Sequence, residues 1–464
     1  MDITLEHPHY AAEKEMLGKY WDLYVGGEHI KAKGRDYLAQ RQKEPHQVYM
    51  ERLSRLFYEN YIGSIVDWYA ATLFKREPVV TLESDRGDAR TFFGEFSEDC
   101  DLKGNTLTAI LRQQLISALV QGRSYLLVDF PKSTRSPRSR AQEEQLGLAR
   151  AYVVDFRADN LTNWSTDERG AFEWVILRQT FLRQAQPIKG ELQRETRWLY
   201  YDRHMYKVFA KNEKSEEQEE PQLVDEGVHG LSHQGMVPLL ELRMTDGLWL
   251  MNKAALLQLE HFNKSNALAW ALTMGLFSMP VVYSDREWKQ VMGESYYIQL
   301  GQQDRFGWTE PEGRVFQIAA DNLTRLQEEI YRVCYLLHQS RGVNSSALSQ
   351  SGLSKQRDFA VTHEVLRAFG DLVKEYLKRV LRTIHAARED EARIDVSGMD
   401  DFDIGDFSGD LADAERLLRL EFGSPTLRAQ IFKKLAGKYL CDVRQETKDQ
   451  IYEEIDASIK TGKQ

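Results

Sequence analysis

The segment MNKAALLQLEHFNKSNALAWALTMGLF, residues 251–277, limits what this chain can fold into more than any other. Ala255, Leu259, Phe262, Asn266, Ala269, Thr273 and Leu276 recur at steps of three and four and mark one face of a long helix. Its second half is apolar all round, and such a helix must be covered by something. The apolar run continues to Tyr283, but at 267–283 it falls short of the roughly 20 residues that cross a bilayer, and Pro280 interrupts it. No membrane span is expected. With no bulky domain beside it in sequence, neighbouring copies of the chain are the natural cover. A second helix is expected at NLTRLQEEIYRVCYLLHQS, capped by Asp321 or Asn322 and striped by Leu323, Leu326, Ile330, Val333 and Leu337. Between the two helices the pattern reads β-α-β-β, with PVVYS, SYYIQLG and GRVFQIA as strands and DREWKQVMG as a short helix. Two apolar helices thus bracket a small β-rich module.

The rest of the chain divides around this unit. Residues 10–75 read as mostly helical, most strongly in YMERLSRLFYENYIGSIVDWYAATLF, before Pro78 opens the strand PVVTLES. LTAILRQQLISALVQG (107–122) predicts an amphipathic helix ending at Gly122, followed by the strand RSYLLVDF. A polar loop (132–145) precedes three further strands, ARAYVVDF, FEWVILRQTFL and RWLYYDRHMYKVFA, and the charged insert at 212–222 reads as a hairpin tip before LVDEG. Beyond the second apolar helix come a Gly/Ser/Asn loop (341–354), a very long helix to about Arg388, a strand IDVSG, the acidic run MDDFDIGDFSGD, and a helical end started by Ser424 and Pro425. Helices with antiparallel meanders make the class α+β.

At 464 residues the chain exceeds one comfortable core, so two to four sub-domains are expected. Its net charge of −10 argues against a protein that grips nucleic acid over a broad basic face, so any DNA contact is local and weak. Cys100, Cys334 and Cys441 form no CxxC pair and read as free thiols. The N-terminus lacks a signal-peptide pattern. No phosphate loop, HExxH, GxSxG or dinucleotide fingerprint occurs, so neither an enzyme nor a cofactor is expected. His7 and His9 could touch a metal, with a frayed terminus as the simpler reading. Asp401, Asp403, Asp406 and Asp410 fail the EF-hand pattern, because Gly405 stands where the third ligand belongs and Ala412 at the twelfth position; a solvated acidic loop is the default. Arg428, Lys433, Lys434 and Lys438 lie on one C-terminal helix and read as surface charge, with contact to DNA or a capsid as the functional alternative.

This order of pieces resembles the portal proteins of tailed bacteriophages. YMERLSRLFYENYIGSIVDWYAATLFKREPVV is similar to that family's early helix and first strand. GRSYLLVDFP with ARAYVVDFRADNLTNW resembles the paired strands of a portal-like subgroup of unknown function, and SALSQSGLSKQRDF…LRAFGDLV resembles the region after the second stem helix. The resemblance implies a mixed α/β wing at 1–248, a stem helix at 249–278, a β-rich clip at 279–320, a second stem helix at 321–340, a tunnel loop with long helix and return to the wing at 341–408, and a helical crown at 409–464.

It further implies a dodecameric ring of this chain at one capsid vertex, assembled in the host cytoplasm among major capsid and scaffold proteins. Double-stranded DNA would pass through without sequence readout. The terminase large subunit would dock at the clip and later give way to a head-to-tail adaptor. The expected channel-facing residues are Arg341, Asn344, Ser345, Ser346, Gln350, Lys355 and Arg357. Partner-binding residues on the clip are expected to be Arg286, Trp288, Lys289, Arg305 and Trp308. Stem packing is assigned to Leu259, Phe262, Ala269, Leu326, Ile330 and Val333. A head-completion or scaffold-associated protein without a channel, and a metal-dependent hydrolase using the Asp401–Asp410 cluster, are the alternatives.

Overall fold

In a computed structural model of the chain, the residues described here are 2–83, 88–131, 147–184, 192–212, 220–275, 279–283, 303, 305–309, 313–336, 352–390, 392–399, 415–416, 424–439 and 445–460. Helices and antiparallel strands are both abundant, and the fold is α+β. Five helices come first: α1 (Pro8–Val25), α2 (Gly27–Ala32), α3 (Gly34–Tyr37), α4 (His46–Ser54) and α5 (Tyr61–Leu73). Strand β1 (Val79–Glu83) follows, then α6 (Asp88–Glu98) and α7 (Leu107–Gln121).

The expected helix through residues 49–74 is broken at 55–60. Asn60 restarts it by accepting the Gly63 N–H at 2.9 Å, while its own amide donates to Tyr24 O at 2.8 Å. The apolar stripe continues across the break, which is why periodicity alone does not show it. Helix α7 also departs from expectation. It is buried nearly all round, polar Gln114, Ser117 and Gln121 included, so it is a central helix and not an amphipathic one. Gln114 donates to Tyr125 O at 3.0 Å and Gln121 to Leu17 O at 3.2 Å, which makes their burial tolerable. Gly122 ends the helix at φ 80° against the Trp249 ring, as its place in the sequence predicts.

A three-stranded sheet, ordered β3-β2-β9, forms the middle layer from β2 (Arg123–Asp129), β3 (Tyr152–Arg157) and β9 (Leu239–Arg243). Leu126, Val128, Val153, Leu240 and Leu242 face the helices, whereas Tyr125, Leu127, Phe156 and Leu239 face a second sheet. Burial on both faces explains why β2 reads as a continuous apolar run. The second sheet is a meander of β4 (Leu161–Thr166), β5 (Phe172–Gln184), β6 (Leu192–Asp202), β7 (Met205–Asn212) and β8 (Gln222–Val228). The run RWLYYDRHMYKVFA is two strands, because the Asp202 carboxylate accepts the N–H groups of His204 (2.8 Å) and Met205 (2.7 Å) and folds the chain into a tight turn.

The second half begins with α8 (Leu250–Gly275), then the hairpin of β10 (Met279–Tyr283) and β11 (Arg305–Thr309), then α9 (Gly313–Val333). Helix α10 (Gly352–Ala387) returns through the core, and β12 (Arg393–Ser397) pairs with β1. Helices α11 (Pro425–Tyr439) and α12 (Gln445–Lys460) pack on each other at the C-terminal end. As expected, Ser424 caps α11 by accepting the Leu427 N–H at 3.3 Å.

Candidate functional site

The helix–hairpin–helix unit is the region that the sequence singled out, and its geometry begins with α8. Met251, Ala254, Ala255, Gln258, His261, Phe262, Ser265 and Asn266 are buried, and between Ala267 and Thr273 no residue is. The inner half is held by side-chain amides that reach main chain elsewhere. Gln258 donates to Glu59 O at 2.7 Å and accepts the Ile62 N–H at 3.2 Å. Asn266 takes both polar groups of Phe57, donating to its carbonyl at 2.9 Å and accepting its N–H at 3.2 Å. Asn263 donates to Tyr37 O at 3.1 Å and accepts the Ala39 N–H at 3.0 Å. These pairings satisfy the non-helical main chain between α4 and α5 and beyond α3. They supply the reason for the break at 55–60 that periodicity missed. The sequence signal was the amides at 258, 263 and 266, set among other polar residues of the helix such as Asn252, Lys253, Glu260 and Lys264.

Helix α9 runs antiparallel beside α8, with Lys264 Nζ donating to Asn322 Oδ1 at 3.0 Å. Its first turns correct one expectation. GRVFQIA is helical and not a strand, and the strand lies upstream at β11. Asp321 is not an N-cap: it accepts from Gln317 one turn earlier, at 2.8 Å inside the helix. The stripe that starts at Leu323 continues back through Ala320, Ala319 and Phe316, so the helix began before the residue that seemed to cap it. Tyr335, at φ 63°, follows the end of α9; its hydroxyl donates to Gly247 O at 2.9 Å and anchors the helix beside the start of α8.

The residues assigned to stem packing lie inside one chain. Phe262 and Ile330 are fully buried and Leu326 nearly so; Leu259 and Val333 are half-buried against the same core, and Ala269 is half-buried. The apolar residues left exposed on the pair are others: Leu256 (77%), Leu272 (42%), Val315 (62%) and Ile318 (60%). Leu272, Val315 and Ile318 all belong to the hairpin-side turns of α8 and α9.

No family model and no curated protein matches this chain. Among solved structures it is similar to a chain in the neck of an empty gene transfer agent particle, at 12% identity and a TM-score of 0.48, over 80% of this chain and 90% of that one. It is also similar to a chain in the virion of the native gene transfer agent particle, at 10% identity and a TM-score of 0.46, over 86% and 96%.

The other candidate residues fall as follows. Arg305 is exposed on β11 opposite Tyr283, and Trp308 stands opposite Pro280; Arg286, Trp288 and Lys289 lie outside the described residues. Lys355 and Arg357 sit in the first turns of α10, while Arg341, Asn344, Ser345, Ser346 and Gln350 lie outside the described residues. Arg428 is exposed on α11. Lys433 is not free surface charge: its ammonium pairs with Asp456 at 2.7 Å and ties α11 to α12. Lys434 and Lys438 are on the same helix. The Asp401–Asp410 cluster and Cys441 lie outside the described residues, and among those described no group of His, Cys, Asp or Glu is placed to hold a metal.

Nor is the terminus frayed at His7. The His7 ring caps α1 by accepting the His9 N–H and stacks on Trp164 at 3.9 Å, while its backbone donates to Thr162 O at 2.9 Å on the edge of β4. Cys100 and Cys334 are buried free thiols, each pushed up to about 12 by burial. No described helix is long and apolar enough to cross a membrane.

Proposed function

We propose that this chain is the subunit of a portal-type ring, a conduit for double-stranded DNA at one capsid vertex. The observation that carries the reading is the antiparallel pair α8–α9 joined by a β-hairpin, set between an α+β body and a long helix, in the order that the portal resemblance implies. The exposed apolar residues Leu272, Val315 and Ile318 support it. A single chain leaves them in water, whereas a ring of identical subunits would cover them through head-to-tail contacts. In this reading the hairpin, with Arg305 and Trp308, is the docking surface for the terminase and later for an adaptor. Residues 341–357 contribute to the channel, and the net negative charge lets the duplex slide without being held.

The test is mass photometry with negative-stain microscopy on the purified full chain. Rings with a central hole, at a dodecamer's multiple of 53.9 kDa, are the expected result. A stable small oligomer with no hole would overturn the reading.

A further inference from the structure

A groove of about 560 Å³ runs between the free edge of β9 and helix α10. The register of the middle sheet fixes what that edge presents. Met244 N–H donates to Gly122 O at 2.8 Å and Val128 N–H donates to Pro238 O at 2.9 Å. Antiparallel alternation then turns the main-chain groups of Glu241 and Arg243 away from β2 and toward the groove. Three exposed guanidinium side chains line it: Arg243 from the strand, and Arg379 and Arg382 from the helix. Arg379 donates to the Glu241 carbonyl, and among the described residues none of the three forms an ion pair with a carboxylate. Glu375, on the same wall, is engaged by Lys378 at 3.3 Å. A strand edge on which Arg379 already holds the Glu241 carbonyl but the Arg243 main chain stays open, beside guanidiniums without a carboxylate partner among the described residues, suits an extended acidic peptide, with main chain meeting main chain and carboxylates meeting guanidiniums.

Two segments of the chain have that chemistry, EEQEE at 216–220 in the insert between β7 and β8, and a longer one that follows β12. Residues 399–410, MDDFDIGDFSGD, hold five aspartates and no basic residue. The described structure shows where this segment departs. The Met399 carbonyl lies against Gly370 on α10, so closely that a Cβ there would come within 2.3 Å of it. Gly370 and Arg379 are nine residues apart on one helix, about two and a half turns, which puts them on opposite sides of it. The last described residue before the acidic run, Met399, therefore lies on the side of α10 that faces away from the arginine groove of its own chain. Donor and acceptor surfaces on opposite sides of one element are what a head-to-tail contact between identical subunits requires.

We propose that the acidic segment 400–410 of one copy docks in the Arg243–Arg379–Arg382 groove of the next copy. The inference rests on the ring reading above and names a contact within it. It is tested on the full chain by charge exchange, with assembly followed by mass photometry and the folded state by thermal unfolding. R243E/R379E/R382E and D401K/D403K/D406K, made separately, are each expected to raise the concentration for half-assembly by at least about tenfold. Combining both sets in one chain restores opposite charges across the contact and is expected to bring assembly back toward wild type. A purely structural defect would not be rescued this way.

Three results would overturn the contact. One is assembly unchanged in both one-sided variants, which leaves the ring reading standing. Another is loss without recovery in the combined variant. The third is a monomer whose thermal stability follows the charges while assembly does not, which assigns the groove to the segment of its own chain. A wild-type chain that never assembles overturns both readings together.

Discussion

The two halves of α8 are opposite in character from what their composition suggests. The inner half carries Gln258, His261, Asn263 and Asn266 and is the more deeply buried. The outer half, Ala267 to Thr273, is nearly all apolar and stays half-exposed. Polar side chains can be buried when they find partners, and for Gln258, Asn263 and Asn266 the partners are main-chain groups that no helix or strand had claimed. Apolar side chains are buried only where something stands beside them, and among the described residues the outer half meets α9 and, at Trp270, the Arg55 guanidinium. Polar clamps fix position in the inner half; the outer half offers unspecific apolar surface to whatever comes next.

The comparison can be broken most directly by truncation. Phe262→Ala in the inner half should destabilise the chain by about 3–5 kcal/mol, because the ring is 1% exposed and packs on Tyr58. Leu272→Ala should stay within about 0.5 kcal/mol, since that side chain is 42% exposed in the single chain. Urea denaturation at a concentration where the protein is monomeric decides it, and equal losses at the two sites would sink the distinction. Next in size is a polar-to-apolar change in each half. Gln258→Leu leaves the Ile62 N–H without its partner, while Glu59 C=O keeps the Tyr61 N–H at 3.1 Å, and should cost about 1–3 kcal/mol. Thr273→Val removes only a local bond to Ala269 O and should be nearly neutral, within about 0.5 kcal/mol. If Gln258→Leu were also neutral, the amide clamps would not hold the inner half.

The smallest effect is a pH dependence confined to the inner half. Burial holds the His261 imidazole below its ordinary 6.5, against a weaker upward pull from the Glu59 carboxylate 3.5 Å away. The unfolded chain takes up that proton first. The stability linked to His261 is therefore complete above about pH 6.5 and is lost as pH falls through the lowered folded value. The slope cannot exceed about 1.4 kcal/mol per pH unit for one proton. His261→Gln should flatten the fall in unfolding midpoint between pH 7 and 5, and His204, whose ring is exposed, serves as the control. Parallel pH profiles for wild type and His261→Gln would dismiss the idea.

Much of the chain could be read in advance where one signal acted alone. The long helices α8 and α10, the Gly122 and Ser424 helix ends, the strand β1, and the return strand β12 all follow from periodicity and end signals. The misreadings came where two signals competed. At 313–319 the apolar and β-branched residues of GRVFQIA suggested a strand, and the stripe of α9 prevailed because α8 lies alongside to receive it. At 55–60 the stripe suggested a helix, and the amides of α8 prevailed. Among the candidate residues, the ion pair of Lys433 was not legible in advance because its partner Asp456 comes from a different helix.

By itself the sequence determined the α+β class, the helix–β–helix unit, the lack of catalytic signatures and the negative charge. These depend on residue type and near-neighbour spacing. Only the tertiary structure decided which half of α8 is buried, which arginines stand beside β9 without a carboxylate partner among the described residues, and on which side of α10 Met399 lies. Those properties join residues far apart in sequence, such as Phe57 with Asn266, 209 positions on, or Gly370 with Met399, 29 positions on, and local pattern carries no information about who meets whom.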